Sequence, residues 1–319
     1  MIQNKTSLLR NGFTALATCM VLLACNKNDN SVQDDQQATV ETTVSAQSDD
    51  EAEAIYNDVF DNAVGMEGEV GIGGGIGIFG RENSTANTAE TSRGDSTNPT
   101  PPNTPPSNPN QPGTTRCFNV TVTPLAPNVY PKTVTVDFGN GCVGRDGRTR
   151  RGKTVTVYTG PMSVINSQAT TTFQNYFIDS NKVEGTHVAK NTSTSNNRGF
   201  TSTVTNGKIT RPNGNYTAWN RTRSWLQTEG NGTPNSPADD VFRITGNANG
   251  TVVRGTNTTQ WTSEITEPLI RRFNCRWLVK GIVKTTRNTN TAFLNYGTGT
   301  CDNQAVLTVN GSVQNITLP

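Results

Sequence analysis

From residue 116 to residue 319 the chain alternates apolar and polar side chains, and a period of two confines this stretch to β-sheet. Phe118, Val120 and Val122 alternate with Asn and Thr, as do Val134, Val136 and Phe138, then Val155 and Val157. Turn signals interrupt the runs at Asp179-Ser-Asn-Lys182, Asn206-Gly207, Asn213-Gly214, Asn249-Gly250 and Asn310-Gly311. Asn-Gly between alternating runs marks a hairpin, because a type I′ turn needs positive φ at both central residues. Two runs, 215–227 and 273–286, each exceed ten residues. No amphipathic helix pattern occurs after residue 116. The expected fold is all-β: an antiparallel meander of about a dozen strands forming a large curved sheet, half-barrel or barrel.

One segment is used twice within this region. Thr133-Val-Thr-Val-Asp-Phe-Gly-Asn-Gly-Cys142 is echoed by Thr291-Ala-Phe-Leu-Asn-Tyr-Gly-Thr-Gly-Thr-Cys301. Each copy is preceded by another cysteine, Cys117 at 25 positions and Cys275 at 26 positions upstream of its partner. Four cysteines allow three connectivities, and the repeated spacing favours Cys117–Cys142 with Cys275–Cys301. Each bridge would add roughly 3 kcal/mol on the chain-entropy model. No C-x2-C pair occurs among the four, so structural zinc is not expected.

The start of the chain reads as an export signal. Lys5 and Arg10 precede an apolar run from Phe13 to Ala24, too short to span a bilayer, and no acid occurs before Asp29. Leu22-Leu23-Ala24-Cys25 resembles the lipobox of bacterial lipoproteins, in which cleavage before the cysteine leaves that residue lipidated. The resemblance implies a signal peptide over 1–24, loss of Cys19 with it, and a membrane anchor through lipid on Cys25.

Residues 25–115 differ in composition from the β region. From Asn26 to Thr115 there are 15 acids and 3 bases, a net of −12; from Arg116 onward there are 22 bases and 10 acids, a net of +12. Asn26 to Ser48 is polar and is expected to be a disordered spacer. In 49–66, Ala54, Ile55, Val59, Phe60, Ala63 and Val64 recur at helical spacing, which predicts a short amphipathic helix that either docks its apolar stripe on something or forms only transiently in a tether. Gly75 to Gly80 fits G-x-G-x-x-G without the strand and helix that a dinucleotide site needs. Residues 94–115 form a Pro/Asn/Thr linker; within it Asp95-Ser96-Thr97 resembles the acceptor triplet for O-glycosylation of exported Bacteroidota proteins. The charge split further suggests that the acidic arm occupies the cationic face of the basic domain, 116–319, at close contact.

Familiar catalytic sets are absent from the sequence. His187 is the only histidine, and neither a G-x-S-x-G elbow nor a Walker loop occurs. No catalytic residue, metal or cofactor is assigned. A carboxylate pair for glycoside hydrolysis has candidates in Glu184, Glu229, Asp239, Asp240, Glu264 and Glu267, and their separation in space decides whether they can act. Trp219, Arg221, Arg223 and Trp225 share one strand face. They offer a ligand platform for planar or anionic groups, or else a packing ladder with arginine stems over indole rings. Basic clusters at Arg148 to Lys153, Arg221 to Arg223 and Arg271-Arg272 suit acidic envelope glycans or lipid phosphates better than nucleic acid in an exported protein.

Taken together, the lipobox, the Asp-rich tail, the Asp-Val-Phe-Asp-Asn helix, the Gly-rich patch and Tyr130-Pro-Lys-Thr-Val-Thr-Val-Asp-Phe-Gly-Asn-Gly-Cys142 with Gly144-Arg-Asp-Gly-Arg148 resemble uncharacterised envelope lipoproteins of Bacteroidota. The resemblance implies an outer-membrane address, on the periplasmic or cell-surface face, and no activity. The expected role is non-enzymatic binding or structure, with an anionic glycan or an envelope protein as partner. The alternatives are a glycan-active hydrolase using a carboxylate pair and a binder of anionic envelope glycans.

Overall fold

The computed structural model describes residues 29–69 and 117–319, apart from 125, 127–128, 145–146 and 233–238. The signal segment, Cys25, Gly75 to Gly80, Asp95-Ser96-Thr97 and the Pro-rich linker lie outside the described residues. One helix, α1 (Asp29–Glu69), precedes fourteen strands. These are β1 (Asn119–Thr123), β2 (Lys132–Asp137), β3 (Cys142–Val143), β4 (Thr149–Tyr158), β5 (Gln168–Ile178), β6 (Asn181–Asn191) and β7 (Gly199–Thr210). They continue as β8 (Tyr216–Glu229), β9 (Val241–Arg254), β10 (Asn257–Arg272), β11 (Leu278–Arg287), β12 (Asn290–Thr298), β13 (Gln304–Val309) and β14 (Ser312–Thr317).

All strands belong to one antiparallel sheet in the order β1-β2-β4-β5-β6-β7-β8-β9-β10-β11-β12-β13-β14, with β3 pairing the start of β4. The sheet does not close, and β1 and β14 are its edges. Alternation sorts the side chains cleanly. On β8, Thr217, Trp219, Arg221, Arg223, Trp225 and Gln227 are buried, while Asn220, Thr222 and Ser224 between them are exposed. The opposite face is polar along neighbouring strands too, with Thr172, Asn249, Gln260 and Thr262 exposed.

Three of the expected hairpins form, at Asp179, at Asn213-Gly214 and at Asn310-Gly311. The other two Asn-Gly pairs sit inside strands. Asn206 has φ 52° at a register shift of β7 against β8, and a Cβ on Gly207 would lie 2.8 Å from Val204 Cγ1 and 3.2 Å from the Tyr56 hydroxyl. A Cβ on Gly250 would meet the Trp261 ring at 2.4 Å. Both glycines therefore serve close approach rather than a turn. The run 273–286 is also broken: β10 ends at Arg272 and β11 starts at Leu278, with the Cys275–Cys301 bridge at the corner. Cys117 is bonded to Cys142, so both disulfides match the repeated spacing.

The helix departs most from expectation. It covers 41 residues rather than 49–66, and includes most of the stretch expected to be a disordered spacer. No proline occurs within it, and its first glycine is Gly65. The chain divides between Gln37 and Ala38 into two units. Within the second, Ala46, Ala52, Ile55, Tyr56, Phe60 and Ala63 of α1 share a single apolar core with residues from β2 through β13. Burial runs almost all the way round: only Gln47, Glu51, Ala54, Asp58 and Asn62, spaced three or four apart, form a partly exposed stripe in this part of the helix. The sheet wraps the helix and leaves one line of it uncovered. No described helix is long and apolar enough to cross a membrane.

Candidate functional site

The inner face of the sheet is where charged and aromatic groups converge, and β8 is its centre. Strand alternation turns Trp219, Arg221, Arg223 and Trp225 inward together, as a shared strand face requires. Their partners come from the helix. Trp219 Nε1 donates to Asp49 Oδ1 at 3.0 Å, and Arg221 Nη1 donates to Glu53 Oε1 at 2.8 Å and to Asn57 Oδ1 at 3.1 Å. Arg223 binds Glu53 Oε2 through Nε at 3.2 Å and Nη2 at 3.0 Å. Trp225 stacks on Phe60, with ring centroids 4.2 Å apart and planes at 17°. The four residues face a carboxylate and a ring. Both belong to the same chain.

The pattern extends around the helix. Asp49, Glu53, Asn57 and Asp61 recur every four residues and so make one stripe; Asp61 at its end binds Arg271 of β10 at 2.7 Å. Asp58 binds Arg150 of β4 at 2.8 Å, and Asp50 accepts from Tyr296 of β12 at 2.8 Å. Glu51 takes Asn181 at 3.2 Å and also Arg211, and Glu41 pairs with Arg287. Each of the seven carboxylates between Ala38 and Val64 thus has a partner on the sheet. Apolar contacts fill the intervening positions: Tyr56 meets Trp219 at 5.2 Å and Phe173 at 6.0 Å, and donates its hydroxyl to the Glu184 carbonyl at 2.7 Å. At the far end Tyr158 donates to the Ala63 carbonyl at 2.9 Å.

Burial shapes the titration of these groups. It would raise Glu53, but Arg221 and Arg223 outweigh it and bring the carboxyl down to about 2. Asp49 and Asp50 lack that double clamp. Burial pushes Asp49 up to about 6 against the pull of Arg223, and Asp50 up to about 7 against the hydrogen bond from Tyr296. Burial likewise pushes His187 down to about 3, and the nearby Arg221 charge adds to this. Arg221 Nη2 donates to Ser202 Oγ at 3.1 Å, and Ser202 Oγ is hydrogen-bonded to His187 Nε2 at 2.9 Å, in a direction set by the imidazole tautomer. This Ser–His contact has the spacing of a nucleophile and its base. Both residues are fully buried, and the imidazole faces a cation rather than an orienting carboxylate, which makes it a poor base.

The six acids considered as a hydrolytic pair fall in three places on the sheet. Glu184 on β6 lies beside Lys182 at 2.7 Å, and Glu264 on β10 beside Lys284 at 3.3 Å. Four inter-strand spacings separate β6 from β10, about 19 Å, well beyond the separation of a glycosidase pair. Glu267 is exposed on β10. Glu229, Asp239 and Asp240 gather at the β8–β9 connection, where Gln227 and Arg198 hold buried Asp240 at 2.7 and 3.1 Å. Burial pushes Asp240 up to about 6 against the Arg198 charge.

The basic clusters are split between faces by the same alternation. Arg150 and Arg271 turn inward to the helix, while Lys153 pairs with Asp137 at 2.8 Å and Arg151 lies over the Phe177 ring at 3.6 Å. A crevice of about 50 Å³ remains beside Asp50, Arg271 and Tyr296, and an opening of about 360 Å³ runs along the exposed helix stripe between Asn181 and Ile316. Among the described residues no group of three or more His, Cys, Asp or Glu is placed to hold a metal ion. The sequence signal for the whole site was the four-residue spacing of Asp49, Glu53, Asn57 and Asp61, combined with the charge split. Comparison with family models, with curated proteins and with solved structures returned no match.

Proposed function

We propose that this chain is a lipid-anchored cell-envelope protein, held in the outer membrane through Cys25, whose β domain has a structural or binding role rather than an enzymatic one. One observation carries the non-enzymatic part: the inner face of the sheet, where Arg150, Arg221, Arg223 and Arg271 converge, is filled by the chain's own helix, carboxylate against guanidinium. The groups that would otherwise do acid, base or anion-binding chemistry neutralise one another there. The two disulfides suit an oxidising compartment, and the lipobox-like Leu22-Leu23-Ala24-Cys25 supplies the anchor.

The docked helix changes what such an anchor does. The compact unit begins 38 − 25 = 13 positions after Cys25, whereas the first strand begins 119 − 25 = 94 positions after it. On this reading the helix that packs on the sheet lies nearer the anchor along the chain than any strand does. Metabolic labelling with a palmitate analogue tests the anchor. Label should enter the wild-type chain and vanish with Cys25→Ala; label retained by that variant contradicts the proposal.

A further inference from the structure

The helix meets the sheet as a ligand meets a receptor, and it is joined to it by a long connection. Burying ion pairs is a poor way to stabilise a core, because desolvation consumes most of the attraction and apolar side chains do as well or better. What spaced ion pairs do supply is register and partner choice. Here Glu53 against Arg221 and Arg223, Asp58 against Arg150 and Asp61 against Arg271 fix one rotation and one depth of the helix. Trp225 and Trp219 receive Phe60 and Tyr56 as apolar anchors between them. Between Glu69 and Cys117 lie 116 − 70 + 1 = 47 residues, a length that spans up to about 160 Å. Such a connection does not oblige the helix to enter the sheet of its own chain.

We infer that the inner face of the sheet is a receptor groove for this acidic helix, and that it accepts the helix of a second copy. Copies on one membrane would then be linked by exchanging helices, with the same contacts made between chains as within one. In dilute solution the covalent connection favours the helix of the same chain through its effective concentration; crowding on a surface favours exchange. The inference rests on the occupied groove and does not depend on lipid at Cys25.

The test uses the whole chain from Asn26 to Pro319, with a protease site inserted between residues 94 and 115. Unlabelled and isotopically heavy copies are each cleaved when folded, mixed in equal amounts and monitored by native mass spectrometry. Helix fragments should appear on sheets of the other label, rising towards roughly half of all complexes, the statistical share. A synthetic helix of residues 38–69 added in excess should displace the heavy fragment, and the same peptide with Glu53→Lys should not. Complexes that keep only their own label, or sheets that lose the helix and never regain one, would overturn the inference. Entry of the Glu53→Lys peptide as readily as the native sequence would overturn the charge code.

Discussion

Glu53 is the residue on which the inner network turns. It answers two guanidinium groups at once, and its removal leaves Arg221 and Arg223 buried against each other. Glu53→Gln should therefore lower stability by about 3–5 kcal/mol, the usual consequence of stranding a buried charge. Glu264→Gln on the outer face is the control. That carboxylate is mostly exposed beside Lys284, and its loss should change stability by less than about 1 kcal/mol. Chemical denaturation of the two variants reads the difference directly. Gly207 makes a second, steric prediction. A methyl group there runs into Val204 and the Trp219 carbonyl and crowds the Tyr56 hydroxyl, so Gly207→Ala should cost about 1–3 kcal/mol while Gly232→Ala, with open space around it and no positive φ, costs less.

At the scale of elements, the helix and the sheet both carry buried groups that make stability depend on pH. Asp49 and Asp50, raised to about 6 and 7, contribute stability that is fully present below their ordinary value near 3.8 and lost as pH climbs through 6 and 7. Asp240 acts in the same sense. Glu53, lowered to about 2, works oppositely: its contribution is present above its ordinary 4.5 and lost as pH falls towards 2. His187, lowered to about 3, also opposes, since an unfolded imidazole gains a proton below 6.5 that the buried one refuses. Three carboxyls outweigh one imidazole from about pH 8 downward, and the balance reverses only below about pH 4. Thermal melts should show Tm rising as pH is lowered from 8 to about 5 and falling below about 4. Asp50→Asn should flatten the neutral limb, and a Tm that climbs steadily with pH would contradict these assignments.

The elements were unequally legible in the sequence. Strands were, because one buried face forces a period of two and Val134, Val136 and Phe138 display it without interruption. Asn249-Gly250 misled, because a glycine needed for the Trp261 ring looks the same as one needed for a turn. The helix was found only where apolar residues cluster, in 49–66. Its earlier part carries Thr42 and Ser45, buried with their hydroxyls bonded to helix carbonyls four residues back, and so shows no apolar stripe. A helix enclosed on nearly every side, with acids satisfied by arginines from distant strands, does not show the one-sided pattern that sequence reading relies on. The platform on β8 was visible as a pattern, but its occupant lay about 170 residues away, with only complementary charge to connect them.

At the scale of the whole molecule, two staples and one plug hold the sheet. Cys117–Cys142 ties the region before β1 to β3, and Cys275–Cys301 ties the β10–β11 corner to the segment after β12. Replacing Cys275 and Cys301 by serine should lower stability by roughly 3 kcal/mol without altering the strand order. The open sheet also needs its interior filled, and Phe60 does much of that beside Phe200 and Trp225. Without the helix, Trp219, Trp225 and the arginines that now pair with helix carboxylates would meet water.

Hydrogen–deuterium exchange on the chain from Asn26 to Pro319 tests this central claim most directly. Amides of residues 42–63 should be protected to the level of β8 and β10, and Glu53→Lys should weaken protection of helix and strands together. Rapid exchange across 42–63 while β8 and β10 remain protected would show that the sheet stands without its helix, and would contradict the account.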